Sequence, residues 1–139
     1  MNQYSRQGQR GVMLIEALIG ILIFSIGILA LLGMQAVAMS ATIDAKYRSE
    51  ASFLANEVIG VMWADPANLT DYETANCAAT PRCSDWLDRV QALLPNASGA
   101  NAPTIEVNNR QVTVTVIWQP PGDSASNHVV VAQIYRATD

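Results

Sequence analysis

Charge is almost absent from one long stretch of this 139-residue chain. Between residues 12 and 43, Glu16 is the one formally charged residue. Because a helix crosses a bilayer with about 20 apolar residues, this stretch is long enough to span a membrane. A charged group near the centre of such a helix costs about 2.5 to 3.5 kcal/mol and generally has a partner. The sequence therefore raises the question of which group pairs with Glu16.

Proline is missing from the first 65 residues, so no proline interrupts a helix that starts in the apolar stretch. We expect this helix to continue to about Trp63. Beyond residue 38 its apolar residues recur every three or four positions, which predicts that one helix face is packed. The members of this stripe are Tyr47, Ala51, Leu54, Val58 and Val61.

Residues that bind metals or act as nucleophiles are scarce, with one histidine and two cysteines. A zinc site needs more ligands, and His128 is far in sequence from Cys77 and Cys83. The chain shows no phosphate loop, nucleophile elbow or paired-carboxylate pattern in a convincing context. We therefore predict no catalytic residues, no metal and no cofactor. In an oxidising compartment the two cysteines favour a disulfide that closes a short loop, and the alternative is two free thiols.

Basic residues are concentrated before the apolar stretch, where Arg6 and Arg10 occur without any acid. The positive-inside rule keeps this end in the cytoplasm and places the C-terminal part across the membrane. The remaining six basic and all twelve acidic residues follow Gly11, a formal charge of −6. This balance argues against a nucleic-acid partner.

The C-terminal part predicts a short helix and three strands. Ser84 is placed to cap the helix, directly after the loop that the cysteine pair would close. Alternating runs around Asn108 and Asn109 predict a hairpin, and HVVVAQIYRA, residues 128–137, predicts a third strand. A long amphipathic helix laid across this antiparallel sheet would bury both apolar faces, so we predict an α+β fold.

Three interpretations of the N-terminus are open. A secretory signal is possible because Ala36-Val37-Ala38 supplies a cleavage pattern before Met39, although the apolar run exceeds the usual 7 to 15 residues. An uncleaved anchor fits the length but leaves Glu16 unexplained. The third interpretation uses the junction RG|VMLIE, where Gly11 separates the basic leader from the apolar run and Glu16 is the fifth residue beyond it.

This junction resembles that of the type IV prepilins, which have a basic leader, a glycine at the cleavage point, an apolar helix and a glutamate at the fifth mature position. The resemblance implies that a prepilin peptidase cuts after Gly11 and that the new amine of Val12 is N-methylated. Val12 and Met13 stand where the family more often has Phe and Thr.

Cleavage would give Glu16 a role in assembly. Val12 and Glu16 are four residues apart on one helix face, about 6 Å along the axis. A neighbouring helix shifted by about one turn would place its amine beside this carboxylate, and opposite charges attract strongly in a low-dielectric setting. We also expect Glu16 to lie in the first helical turn, where the helix dipole favours an acid.

The order of elements resembles the pilin fold. The implied domains are a leader peptide (1–11), a transmembrane and filament-core half of the helix (12–40) and a periplasmic head (41–139). More narrowly, SIGILALLGMQ, SFLANEVIGVMWADP and VTVTVIWQ look like the PilV kind of type IV pilus modification proteins, which are minor pilins.

The resemblance implies a non-enzymatic subunit that helps to initiate type IV pilus assembly, and so contributes to twitching motility, adhesion or DNA uptake. Its implied partners are the prepilin peptidase and N-methyltransferase, other minor pilins, the major pilin and, before assembly, the inner membrane. Two alternatives stay open: a minor pseudopilin of a type II secretion system, and a monomeric membrane-anchored periplasmic binding domain that could lose Glu16 without consequence.

Overall fold

A computed structural model describes residues 9–135, with side chains from residue 11 onward. Most of the predicted leader, and residues 136 and 137 of the predicted third strand, lie outside the described residues. The elements in chain order are α1 (Gln9–Ala64), α2 (Thr74–Cys77), α3 (Pro81–Leu93), β1 (Thr104–Asn108), β2 (Gln111–Trp118) and β3 (Ser126–Gln133), with 3₁₀ turns at Leu69–Tyr72 and Gly99–Asn101. The predicted α+β class is confirmed.

The chain divides into two units, the first ending at Ile43 and the second beginning at Asp44. In the first unit the described side chains all belong to α1, and all of them are exposed. The apolar stretch therefore buries nothing within its own unit.

The second unit has a hydrophobic core between the C-terminal part of α1, helix α3 and one face of the sheet. The predicted stripe is confirmed, since Ala51, Leu54 and Val58 are buried and Tyr47 and Val61 are partly buried against the core. The stripe is wider than predicted. Its additional buried members are Ala55, Ile59 and Met62.

The sheet has the strand order β1-β2-β3, and both pairings are antiparallel. Alternation along β2 places Val112, Val114, Val116 and Trp118 in the core, as the sequence predicts. The first hairpin turn is displaced by one residue, because Asn108 pairs with Gln111 and leaves Asn109 and Arg110 as the turn. Asn109 has a φ of 57°, which asparagine tolerates better than most residues.

Helix α3 begins earlier than the sequence predicts. Pro81 occupies its first turn, where a missing N–H costs nothing, and Thr80 is the extended residue before it. Ser84 is therefore not the cap but an interior residue whose hydroxyl donates to the Pro81 carbonyl at 3.0 Å. The cysteine pair connects the end of α2 to the first turn of α3 and closes the short loop of residues 78–80 between them, as predicted, although the closed loop also includes the first residues of α3.

Candidate assembly site

The predicted processing site lies at the start of α1. Because the helix begins at Gln9, the Gly11–Val12 peptide bond belongs to its first turn in the uncut chain. Glu16 is the eighth helical residue of the uncut chain, because Gln9, Arg10 and Gly11 precede Val12 in the helix. The prediction that Glu16 lies in the first turn concerns a chain that begins at Val12, so it stays a prediction. Only a chain that started at Val12 would bring Glu16 close to the helix start.

The surface around Glu16 is a continuous apolar one. Of the large apolar side chains between Val12 and Ile43, Ile28 is the least exposed and still keeps 41% of its accessible area. Monomeric soluble proteins rarely expose apolar patches of this extent, which generally bind lipid or other proteins. By length and composition, α1 is one helix within the described chain that could cross a membrane. The structure is therefore consistent with a single membrane anchor near the N-terminus.

Glu16 has an exposed side chain in this apolar surface. Among residues 11–135 no salt bridge or hydrogen bond involves its carboxylate. The positions one turn before and after it, Val12 and Gly20, offer no polar side chain. The carboxylate is thus available to a group from outside this part of the chain, which is what the predicted assembly role requires.

The predicted cysteine pair forms a disulfide. Cys77 and Cys83 are bonded, with their Cα atoms 5.0 Å apart, and both side chains are buried within the hydrophobic core. The bond ties the short helix α2 to the first turn of α3. Its role is structural, because both sulfur atoms are enclosed by the core.

The structure places the one histidine and the three tryptophans in different surroundings. In the part of the chain that the structure describes, no three His, Cys, Asp or Glu side chains are grouped closely enough to hold a metal ion. His128 is partly buried in β3, whereas Trp86 and Trp118 are core residues. Trp63 is 48% exposed and does not belong to the core. The prediction that the protein is not an enzyme stays a prediction.

Several contacts that position these elements have no signal in the sequence. The indole N–H of Trp86 donates to the Leu54 carbonyl at 2.8 Å, which fixes α3 against α1. Arg89 and Glu57 form a salt bridge at 2.8 Å between the same two helices. Each pair is about 32 residues apart in sequence, so local spacing offers no means of finding it. The Lys46–Glu50 pair, by contrast, has the i, i+4 spacing of a helix pair and is present at 3.7 Å.

Comparison of the chain with protein-family models, curated proteins and solved structures found no match. The resemblance to type IV prepilins therefore depends on the N-terminal junction and on the order of the elements.

Proposed function

We propose that this chain is a minor pilin that takes part in the initiation of type IV pilus assembly. In this proposal a prepilin peptidase cuts after Gly11 and Val12 is N-methylated. The inner membrane holds the chain through the apolar part of α1, and the same surface then packs against the helices of other minor pilins and of the major pilin. The head remains periplasmic until assembly.

One observation supports this proposal most directly. Glu16 is the single formal charge on an exposed apolar surface of about 30 residues, and it has no ion-pair partner among residues 11–135. A disposable signal or a passive anchor gains nothing from such a group, because insertion of an acid into a membrane is costly. A subunit that must align with its apolar neighbours at one particular offset along the helix axis does gain from a charge, because apolar contacts alone are non-directional.

The partner proposed for Glu16 is created by processing. Cleavage after Gly11 converts a peptide nitrogen into a basic amine, and N-methylation leaves that amine able to carry a positive charge. Within one helix, Val12 and Glu16 are separated by about 6 Å along the axis. A neighbouring mature helix displaced by about one turn brings its own amine to the Glu16 carboxylate, and the apolar surroundings strengthen the attraction. Cleavage after Gly11 must therefore come before this charge pair can align neighbouring helices.

The mass of the N-terminal peptide of the mature protein tests the proposal. We expect a peptide that begins with N-methylated Val12 when the chain is produced in a bacterium that has type IV pili. A peptide that begins at Met39 would show a secretory signal, and an intact Met1 would show an uncleaved anchor; either result overturns the proposal.

A deletion strain separates the pilus from a type II secretion system. The minor-pilin proposal expects fewer surface pili and reduced twitching, with exoenzyme secretion unchanged. Loss of exoenzyme secretion with normal piliation would instead assign the chain to a pseudopilin role.

A further inference from the structure

The part of α1 that belongs to the second unit has an exposed face opposite its buried one. Two positions beyond each member of the packed stripe lies an exposed residue, and two positions turn a helix by about 200°. The five residues of this exposed seam are Ser49, Phe53, Asn56, Gly60 and Trp63. Their spacings of 4, 3, 4 and 3 are those with which one helix packs along another in a coiled coil.

The exposed seam lacks the charges of an ordinary solvated helix face. Its two large members are apolar aromatic residues, with Phe53 66% and Trp63 48% exposed. The one charged residue between positions 51 and 64 is Glu57, which forms a salt bridge with Arg89 of α3. Helix α3 of the same unit, by contrast, exposes four charged residues, which are Arg82, Asp85, Asp88 and Arg89. The exposed seam therefore has the composition of a surface that another molecule covers.

Gly60 is the member of the seam that the subunit by itself does not explain. Glycine in a helix interior is less stable than alanine, because it restricts the unfolded chain least. The φ of Gly60 is not positive, and an alanine methyl group at this position would meet no atom within 4 Å. Neither the backbone nor the packing of the described chain therefore requires glycine here. A glycine on a helix surface does allow the backbone of a second helix to approach closely.

Lipid is not the molecule that covers the seam. Four charged residues lie at its start, among positions 44–50, and they are Asp44, Lys46, Arg48 and Glu50. Charged groups are costly in the hydrocarbon layer of a membrane, so this part of α1 lies outside it. The rest of the second unit packs on the opposite face of the helix. The seam is about 21 Å long and has the spacing that suits another helix.

We propose that the exposed seam packs along the N-terminal helix of a neighbouring pilin subunit, parallel to it and at the level of the heads. This inference rests on the proposed function, in which the apolar part of α1 packs against the helices of other pilins. Those helices leave the same membrane in the same direction, so the neighbouring helix runs parallel to α1. Phe53 and Trp63 insert between its side chains, and Gly60 lets the two helix axes approach to about 8 Å.

A graded series of substitutions at Gly60 tests the packing. Gly60→Ala and Gly60→Leu are made in the full-length chain and produced in a bacterium that has type IV pili. We expect the amount in sheared pili to fall for Gly60→Ala and to fall at least about tenfold for Gly60→Leu, because each added carbon holds the neighbouring helix away. The amount in the membrane fraction should stay at the wild-type level.

The stability of the isolated chain should not follow this order. Alanine favours a helix more than glycine does, and its methyl group meets no atom of the described chain. We expect Gly60→Ala to raise the Tm of the head in detergent by about 4 °C and Gly60→Leu not to lower it. Circular dichroism would measure both values. A glycine needed only for the fold would instead lose stability and incorporation together.

Ala92→Leu is the matched control, because Ala92 is an exposed position of α3 outside the seam. We expect this variant to enter pili at the wild-type level. Three results would each overturn the inference: wild-type incorporation of Gly60→Leu, a lowered Tm that accompanies its loss from pili, or an equal loss for Ala92→Leu. The proposed function would survive any of them if the wild-type chain is found in pili with N-methylated Val12. Absence of the wild-type chain from pili would overturn both.

Discussion

Glu16 is the residue on which the proposed assembly mechanism depends most closely. Its carboxylate lies in the exposed apolar part of α1 and has no ion-pair partner among residues 11–135. We predict that Glu16→Gln, which keeps the side-chain shape and removes the charge, leaves membrane anchoring intact and lowers incorporation into pili by at least about tenfold. A tenfold loss corresponds to about 1.4 kcal/mol, a modest value for a charge pair in an apolar setting. Immunoblots of sheared pili and of membrane fractions would measure the protein incorporated into pili and the protein anchored in the membrane.

A matched control is available in the same helix. The Ser25 hydroxyl is bonded to the Ile21 carbonyl at 2.7 Å, so its hydrogen bond is satisfied within the helix. Ser25→Ala should therefore enter pili at the wild-type level. Equal incorporation of Glu16→Gln and wild type would contradict the registration mechanism, even if the chain proved to be a pilin.

Trp86 joins α3 to α1 through a buried side chain. Its indole N–H donates to the Leu54 carbonyl, and 1% of the residue is exposed. We predict that Trp86→Phe lowers the free energy of unfolding of the head by about 2 kcal/mol, because a hydrogen bond is lost and a small cavity is left. Thermal unfolding of the full-length chain in detergent, followed by circular dichroism, would measure the change.

Trp63 offers the corresponding control. It is 48% exposed, so Trp63→Phe should change the stability by less than about 0.5 kcal/mol. If both variants lost equal stability, the difference in burial between the two tryptophans would be refuted.

At the scale of elements, the Cys77–Cys83 disulfide restrains α2 relative to α3. The two cysteines are six positions apart in sequence. For so short a loop the chain-entropy model gives a stabilisation of about 2 kcal/mol. We predict that Cys77→Ala with Cys83→Ala lowers the free energy of unfolding by about this amount, as measured in urea. A reductant should lower the free energy of unfolding of the wild-type chain by a similar amount and leave that of the double variant unchanged. If the reductant also destabilised the double variant, the loss of stability would have a cause other than this disulfide.

The elements also show which patterns predict structure well. The three- and four-residue spacing in α1 and the alternation in β2 identify the buried faces, because burial follows directly from the periodicity of helix and strand. Element ends are less predictable. Both Ser84 and Thr80 are plausible helix caps by residue type, and the earlier start is favoured because Pro81 fits the first turn. The hairpin turn is displaced by one residue because Asn108 pairs with Gln111 in the sheet, so that of the two adjacent asparagines only Asn109 takes a turn position, with a φ of 57°.

At the scale of the whole molecule, the charge distribution predicts the orientation in the membrane. Basic residues precede the apolar stretch, and the head beyond it is acidic. We predict that a membrane-impermeant maleimide labels Ala100→Cys, an exposed position in the Gly99–Asn101 turn, equally well in intact spheroplasts and after lysis. The wild-type chain is the blank, because its cysteines are bonded. Labelling that required lysis would place the head in the cytoplasm and contradict export.

The sequence by itself determined the features that depend on local composition and period. These are the apolar stretch with Glu16 as its single charge, the junction at Gly11, the packed stripe of the helix and the inward face of β2. The tertiary structure alone decided the features that join distant residues. It placed Thr74 against the outward backbone groups of Ile105 and left β3 as an open edge. The physical reason is that an edge is defined by which strand has no neighbour, and this depends on the fold of the whole chain and not on the residues of the strand.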